Sequence, residues 1–248
     1  NSPRLGLEIG VNVRVSAIGL LGYAMMTAPT LRVGLSIPLS MPALLGTYFD
    51  LSLDVVGHDA CLTAIQSRGS SDLEAFLTEV CFGSFKSMVE DILYSEINFK
   101  KVSFSYPALP GMKDQYETAL GCPVIFDQTK SMIVFSLATL DSKLPLSDPL
   151  CHQRVLELCH IQNRELVANR EWLEHLRGYI SRELLSPPDL DDLAKKMHCS
   201  TRTLRRRLEI LNTSYRGLLD ELRFEKAQIL LRDTSMSIDS IAESIGFS

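Results

Sequence analysis

The stretch Asp189–Ser200 recurs as Ser237–Ser248, at an offset of 48 residues (189 to 237). Set one above the other, the two read D-L-D-D-L-A-K-K-M-H-C-S and S-I-D-S-I-A-E-S-I-G-F-S. Each opens on a helix-capping residue type, Asp189 or Ser237. Each then carries apolar residues at i, i+3, i+4 and i+7: Leu190, Leu193, Ala194 and Met197 in the first, Ile238, Ile241, Ala242 and Ile245 in the second. That spacing is one buried stripe of a short helix. The alanine at its centre lets a second helix cross closely. Each copy ends, after a short turn, on another capping type, Ser200 or Ser248. The repeat therefore predicts two helix-turn-helix units within an all-helical region.

The helix expected after the first turn, Ser200–Leu211, buries Leu204, Leu208 and Leu211. At 100° per residue, Arg202 and Arg206 lie opposite Leu204, with Arg205 and Glu209 beside them and Arg207 near the buried edge. Leu193–Leu208 holds Lys195, Lys196, Arg202, Arg205, Arg206 and Arg207 and no Asp or Glu. Leucines inward and long donors outward are what a recognition helix needs in a major groove. The planar guanidinium fork suits guanine edges and phosphates. Arg202, Arg205 and Arg206 are thus the expected direct DNA contacts, with Thr203 next. Ser200, Thr201 and Arg207 are expected to position the phosphate backbone. Thr213–Leu231 reads as one helix with Leu218, Leu219, Leu222, Ala227, Leu230 and Leu231 on its apolar side. It would hold the two units so that they meet groove faces one DNA turn, about 34 Å, apart.

Strand character is confined to the first part of the chain. Tyr48–Val56 and Cys61–Gln66 read as strands around Gly57-His58-Asp59, and Lys100–Tyr106 alternates with Val102, Phe104 and Tyr106 on one face. Val124–Phe126 and Met132–Leu137 read as a second hairpin. Ser71–Tyr94 reads as a long helix with Asp72 and Glu74 near its start and an apolar stripe of Leu73, Phe76, Leu77, Val80, Met88 and Ile92. Met112–Leu120 reads as a short helix, and residues 1–45 as short helices on a core. Leu144-Pro145-Leu-Ser-Asp-Pro149 is the linker signal, after which helices are expected at about 150–166 and 170–184, before Ser186-Pro187-Pro188. The expected organisation is an α+β domain at 1–148, a helical linker at 149–170 and an all-α domain at 171–248. The last holds a first helix-turn-helix at 189–211, a linking helix at 213–231 and a partial second unit at 237–248.

The whole chain has 25 basic and 30 acidic residues, a formal charge of −5. Resolved along the chain, residues 1–185 hold 15 and 20, and residues 186–248 hold 10 and 10. The acidic balance lies in the first part, and the basic run is focused on one helix, so non-specific DNA binding should be weak. The six cysteines form no C-x-x-C pair and read as free thiols of a reducing cytosol. Val15–Leu31 is uncharged among its interior positions but broken by Gly19, Gly22 and Pro29, so a buried helix followed by a turn is expected, not a membrane span. Cys151-His152 and Cys159-His160 are eight residues apart, about 12 Å along a helix, too far to share one metal. No metal and no cofactor are expected. Phosphate loops, G-x-S-x-G and H-E-x-x-H patterns are absent, and a non-enzymatic role follows. A remote alternative is DNA alkyl transfer to Cys151, since Cys151-His152-Gln153-Arg154-Val155 partly matches an alkyltransferase motif in which Leu150 and Gln153 interrupt the spacing.

The C-terminal motifs resemble the AraC/XylS family of bacterial transcription regulators over about 172–248. They include Leu193-Ala194, Ser200-Thr201-Arg202-Thr203-Leu204-Arg205-Arg206-Arg207-Leu208, Thr213-Ser214-Tyr215 and Arg223-x-x-x-Ala227-x-x-Leu230-Leu231. The run from Ser237-Ile238 to Ile245-Gly246-Phe247-Ser248 is the most diagnostic. The N-terminal half resembles the subgroup with an arabinose-binding-like domain, through Leu5-Gly6-Leu7-Glu8-Ile9-Gly10, Gly19-Leu20-Leu21-Gly22-Tyr23 and Thr30–Leu35.

The resemblance implies a cytoplasmic regulator, an activator, that binds double-stranded DNA and meets RNA polymerase. Its α+β domain would be a sensor for a small-molecule effector, or a module that pairs two copies of the chain or meets another protein without any effector. Two departures from the family pattern stand out. His198 replaces the usual turn glycine, a position that His tolerates in left-handed backbone better than most residues. The sequence also stops at Ser248, where a second recognition helix would start; both ends read as cuts, and single-site or weak DNA binding is expected of this 248-residue form.

Overall fold

The computed structural model describes residues 5–66, 73–108 and 110–246. They form two compact units, residues 1–164 and 165–248.

The first unit starts with short helices, α1 (Leu5–Gly10), α2 (Leu20–Met26), α3 (Leu31–Ser40) and α4 (Pro42–Leu45), with a 3-10 turn at Val15–Ile18. A hairpin follows, β1 (Phe49–Val56) and β2 (Asp59–Gln66), then α5 (Glu74–Leu93), β3 (Phe99–Ser103), α6 (Lys113–Leu120), β4 (Val124–Ile125), β5 (Ser131–Ser136) and α7 (Leu137–Leu140). The first hairpin is as the alternation predicts, in register Val56↔Asp59 with Gly57 at φ 61° in its turn. Ser71 and Asp72, read as the start of the long helix, lie outside the described residues.

The second hairpin is not formed. The sheet order is β1-β2-β5-β3-β4, so β3 lies between the two strands that the sequence reading paired. β5 is antiparallel to both β2 and β3, and β4 runs parallel to β3. The reason is in β5 itself. Met132-Ile133-Val134-Phe135 is apolar on both faces and three of the four are buried, which suits a central strand and not a hairpin at an edge. The chain reaches β5 through the loop at Asp127, whose φ is 56°.

Helix α5 packs on the sheet through Phe82, Phe85, Val89 and Ile92. That face is rotated from the expected stripe. Leu73 is exposed, and Leu77, Val80 and Met88 are half-buried. Helix α1 crosses α5 where Gly10 meets Gly83: a Cβ on Gly10 would lie 2.6 Å from the Val80 carbonyl oxygen and 2.9 Å from the Gly83 Cα. The half-buried side of α5 faces instead a cavity of about 310 Å³, bounded also by α3, the α4–β1 connection and β1.

Glu79 is a carboxyl inside this core, 3% exposed, bonded by the Tyr116 hydroxyl. Burial pushes its pKa up from the ordinary value, against the Tyr116 hydroxyl and the Leu7 and Gly6 amides, which pull it down. Above the ordinary Glu value of about 4.3, the folded chain then holds this proton more tightly than the unfolded one. Stability is therefore lost as pH rises through the raised value. Glu79→Gln is expected to flatten the pH dependence of stability. Urea melts of both forms at about pH 5 and pH 7 check this, and parallel pH slopes would contradict it.

From Pro149 the chain is helical: α8 (Pro149–Arg182), α9 (Leu190–Lys196), α10 (Thr201–Ile210), α11 (Tyr215–Asp233) and α12 (Ile238–Ser244). The two helices expected between 150 and 184 are one, 34 residues long. Glu165–Glu171 contains no Gly or Pro, so nothing interrupts the backbone ladder there. No helix among the described residues is long and apolar enough to cross a membrane.

The second unit has its own core, in which Leu176 and Ile180 of α8 meet Leu193, Leu204, Leu208, Leu218 and Leu222. In α12, Ile241 and Ile245 are buried as the repeat predicts, but Ile238 is 77% exposed. Helix α12 packs against α11, which covers the Ile241 side and leaves Ile238 in solvent. Its first-copy counterpart Leu190 is half-buried against the leucine core. Phe247 and Ser248 lie outside the described residues.

Candidate nucleic-acid interface

Helices α9 and α10 form a helix-turn-helix. Asp189 caps α9, its Oδ1 accepting from the Asp191 and Asp192 amides at 2.9 and 2.8 Å. The α9 helix ends at Met197, and His198 takes the left-handed conformation at φ 52°. Its repeat counterpart Gly246 has φ 80°, and there a Cβ would sit 2.7 Å from the Leu184 carbonyl oxygen. The same backbone turn thus recurs in both copies, and only the second is crowded enough to require glycine. Ser200 then caps α10, its Oγ accepting from the Thr203 amide at 3.2 Å and lying 2.8 Å from the Thr203 Oγ1.

Leu204 and Leu208 turn inward, at 0% and 2% exposure. Arg202, Thr203, Arg205 and Arg206 are exposed. The other cations of this stretch are engaged. Lys195 pairs with Asp192 at 3.0 Å, and Lys196 with Glu183 at 2.9 Å. The Arg207 guanidinium lies 4.4 Å from the centre of the Trp172 ring and donates to Asn169 Oδ1 at 3.3 Å. Thr201 Oγ1 donates to Asp191 Oδ1 at 2.5 Å, which ties the two helices of the unit together. Among the described residues, Arg202, Arg205 and Arg206 are the cations of Leu193–Leu208 with no ion pair, side-chain hydrogen bond or ring contact. Six basic residues in the sequence become three free forks on one face of one helix.

Sequence reading missed what holds that face in place. Trp172, the chain's one tryptophan, and Asn169 lie one turn apart on α8 and receive Arg207. Arg177 of α8 donates to Glu221 at 3.1 Å and Glu225 at 2.6 Å on α11. Glu221 and Glu225 are spaced i, i+4 on the outer side of α11, a signal that two carboxylates share a face. Trp172→Ala removes the aromatic platform, whose cation–π contact is worth about 0.5–2 kcal/mol before lost ring burial. It is expected to lower the melting temperature of residues 165–248, measured by circular dichroism. An unchanged transition would remove Trp172 from this role.

Cys151 is exposed in the first turn of α8, where its backbone amide donates to Asp148, and Cys159 is fully buried. Among the described residues no group of three or more His, Cys, Asp or Glu is arranged to hold a metal ion.

A separate sheet-containing domain followed by a helix-turn-helix with a one-sided arginine face defines a DNA-binding regulator. Residues 1–144 match the family described as the arabinose-binding domain of AraC transcription regulator, N-terminal, and residues 193–248 match a helix-turn-helix domain family. The chain belongs to the AraC family of transcription regulators. It is 28% identical over 249 residues to the ornithine utilization regulator of Pseudomonas aeruginosa, covering 99% of this chain and 72% of that protein. It is 26% identical over 262 residues to an uncharacterized helix-turn-helix regulator of Mycobacterium tuberculosis, covering 98% and 72%. Among solved structures, the transcriptional regulator CdpR of Pseudomonas aeruginosa shares the fold, with a TM-score of 0.55 at 21% identity, covering 100% of this chain and 80% of that one.

Proposed function

We propose that this transcription regulator reads one major-groove face through α10, with Arg202, Arg205 and Arg206 as donors to bases and phosphates and Thr203 beside them. The observation that carries this reading is that these three arginines are exposed together and lack ion pairs among the described residues. Ser200 and Thr201 stand at the N-terminal end of α10, where phosphate binds most readily. Arg207 acts by placement, since its contact with Trp172 fixes the roll of α10. Helix α11, 19 residues or about 28 Å long at 1.5 Å per residue, joins the two repeat copies.

The same proposal makes the protein an activator acting in the bacterial cytoplasm, a direction that rests on family resemblance. An activator of this kind meets RNA polymerase at the promoter, and pairing of two chains is part of the reading. The first unit is read as a sensor for a small effector, supported by its cavity of about 310 Å³. Genome-wide occupancy mapping of the protein in its host, combined with transcript levels with and without it, tests the whole reading. Discrete sites upstream of genes whose transcripts fall when the protein is removed are expected. Transcripts that rise instead would refute activation, and occupancy without preferred sites would refute specific reading.

A further inference from the structure

The cavity in the first unit has a composition that restricts what enters it. Its walls are Leu35, Leu39 and Pro38 from α3, Phe49 and Leu51 from β1, and a long side of α5 that includes Leu77, Val80 and Met88. No described residue lining it is charged. Its polar groups are the hydroxyls of Thr47, Tyr48 and Ser84 and the thiol of Cys81. Thr47 Oγ1 already accepts from the Phe49 amide at 3.2 Å, and Tyr48 stands at the exposed rim. Burial pushes the Cys81 thiol up to about 12, so that wall stays neutral at physiological pH.

Such a lining discriminates by what it fails to offer. A sugar brings several hydroxyls, each of which loses water on entry and needs a new partner. A zwitterionic amino acid brings charges of both signs, and a buried charge without a counter-charge is worse still. No counter-charge lines the cavity, and its three hydroxyls and one thiol are too few to satisfy the hydroxyls of a sugar. An apolar molecule gives up no hydrogen bonds to water on entry and gains contact with leucine, valine, methionine and phenylalanine side chains. A dry cavity of about 150 Å³ accepts benzene, so 310 Å³ suits roughly a two-ring aromatic or an alkyl chain of about ten carbons.

We propose that this cavity is the effector site and that its ligand is a neutral, largely apolar small molecule, not a sugar or an amino acid. The inference rests on the sensor reading given above and names the ligand class for it. The half-buried stripe of α5 then has a purpose. Leu77, Val80 and Met88 form the ligand wall, while the rotated face with Phe82 and Val89 holds the fold.

Met25 and Met88 both line the cavity, so their methyl groups report on its occupancy. The full chain carrying labelled methionine methyls is titrated with 1-decanol and 2-naphthol as apolar probes and with L-arabinose and L-ornithine as polar ones. Saturable shifts of the Met25 and Met88 methyls with an apolar probe, and none with the polar probes at tenfold higher concentration, are the expected result. Val80→Phe narrows the cavity and is expected to weaken probe binding at least tenfold. Leu45→Phe does the same from α4 if the first variant does not fold. Shifts produced by the sugar or the amino acid at lower concentration, or by no apolar probe, would overturn the ligand class. DNA affinity measured on the same samples separates the two levels. Saturating probe that leaves DNA affinity unchanged refutes regulation through this site, while absent probe binding refutes the ligand class whatever the DNA does.

Discussion

Replacing Arg202, Arg205 and Arg206 together by Ala is expected to remove sequence-specific DNA binding while α10 stays folded. All three side chains are exposed, and none is ion-paired among the described residues. Their loss therefore costs the fold little, within about 0.5 kcal/mol each, and Ala is a better helix former than Arg. On DNA the balance is different. An arginine that reads a base edge is worth about 1–3 kcal/mol, roughly 5- to 150-fold in affinity, and its loss relaxes specificity at that position. An arginine on phosphate weakens all duplexes about equally and lowers the salt dependence by about one ion. Single substitutions thus sort the three residues by role. Because they share one helix face, the triple effect need not equal the sum of the singles. Anisotropy titrations at several salt concentrations provide both readouts, and a triple variant that still prefers the same duplex would contradict the assignment.

Leu204→Ala is expected to destabilise the second unit strongly. Leu204 has no exposed surface and meets the leucines of α8, α9 and α11 in one cluster. Truncating a leucine in such a core costs about 2–5 kcal/mol through lost burial and the remaining void. A small domain holds only about 5–15 kcal/mol in total, so the loss consumes a large share of it. Arg202, two residues away and exposed, should be nearly neutral when replaced by Ala. Urea melts followed by helical circular dichroism would show the difference. A loss below about 1 kcal/mol at Leu204 would mean that the cluster relaxes to fill the void.

The features read from sequence differ in how local their causes are. The helix-turn-helix was legible because every part of it is written within a few residues: Asp189 and Ser200 as caps, leucines at helical spacing, and a left-handed turn at His198. The first hairpin was legible for the same reason, with Gly57 between two alternating runs. The pairing of β5 was not, because a strand's partners are chosen by the whole sheet. Here an apolar run took a central position between β2 and β3 and displaced the nearer β4. The single helix α8 and the rotation of α5 likewise depend on what packs around them.

At the candidate interface, helical spacing showed which side of α10 is exposed but could not say which cations were free. Lys195, Lys196 and Arg207 look like Arg205 in a list of residues. Asp192 one turn back on α9, and Glu183 and Trp172 brought close by the fold, engage them. The cavity was invisible for a similar reason, since its walls come from residues as far apart as Val13 and Met88.

The free arginine face of α10 is proposed to read the DNA sequence. Selection of bound duplexes from a random DNA pool, by the chain and by its Arg202→Ala/Arg205→Ala/Arg206→Ala variant, tests it most directly. The chain is expected to enrich a defined motif, and the folded variant none. Enrichment of the same motif to the same degree by the variant would show that the DNA is read elsewhere.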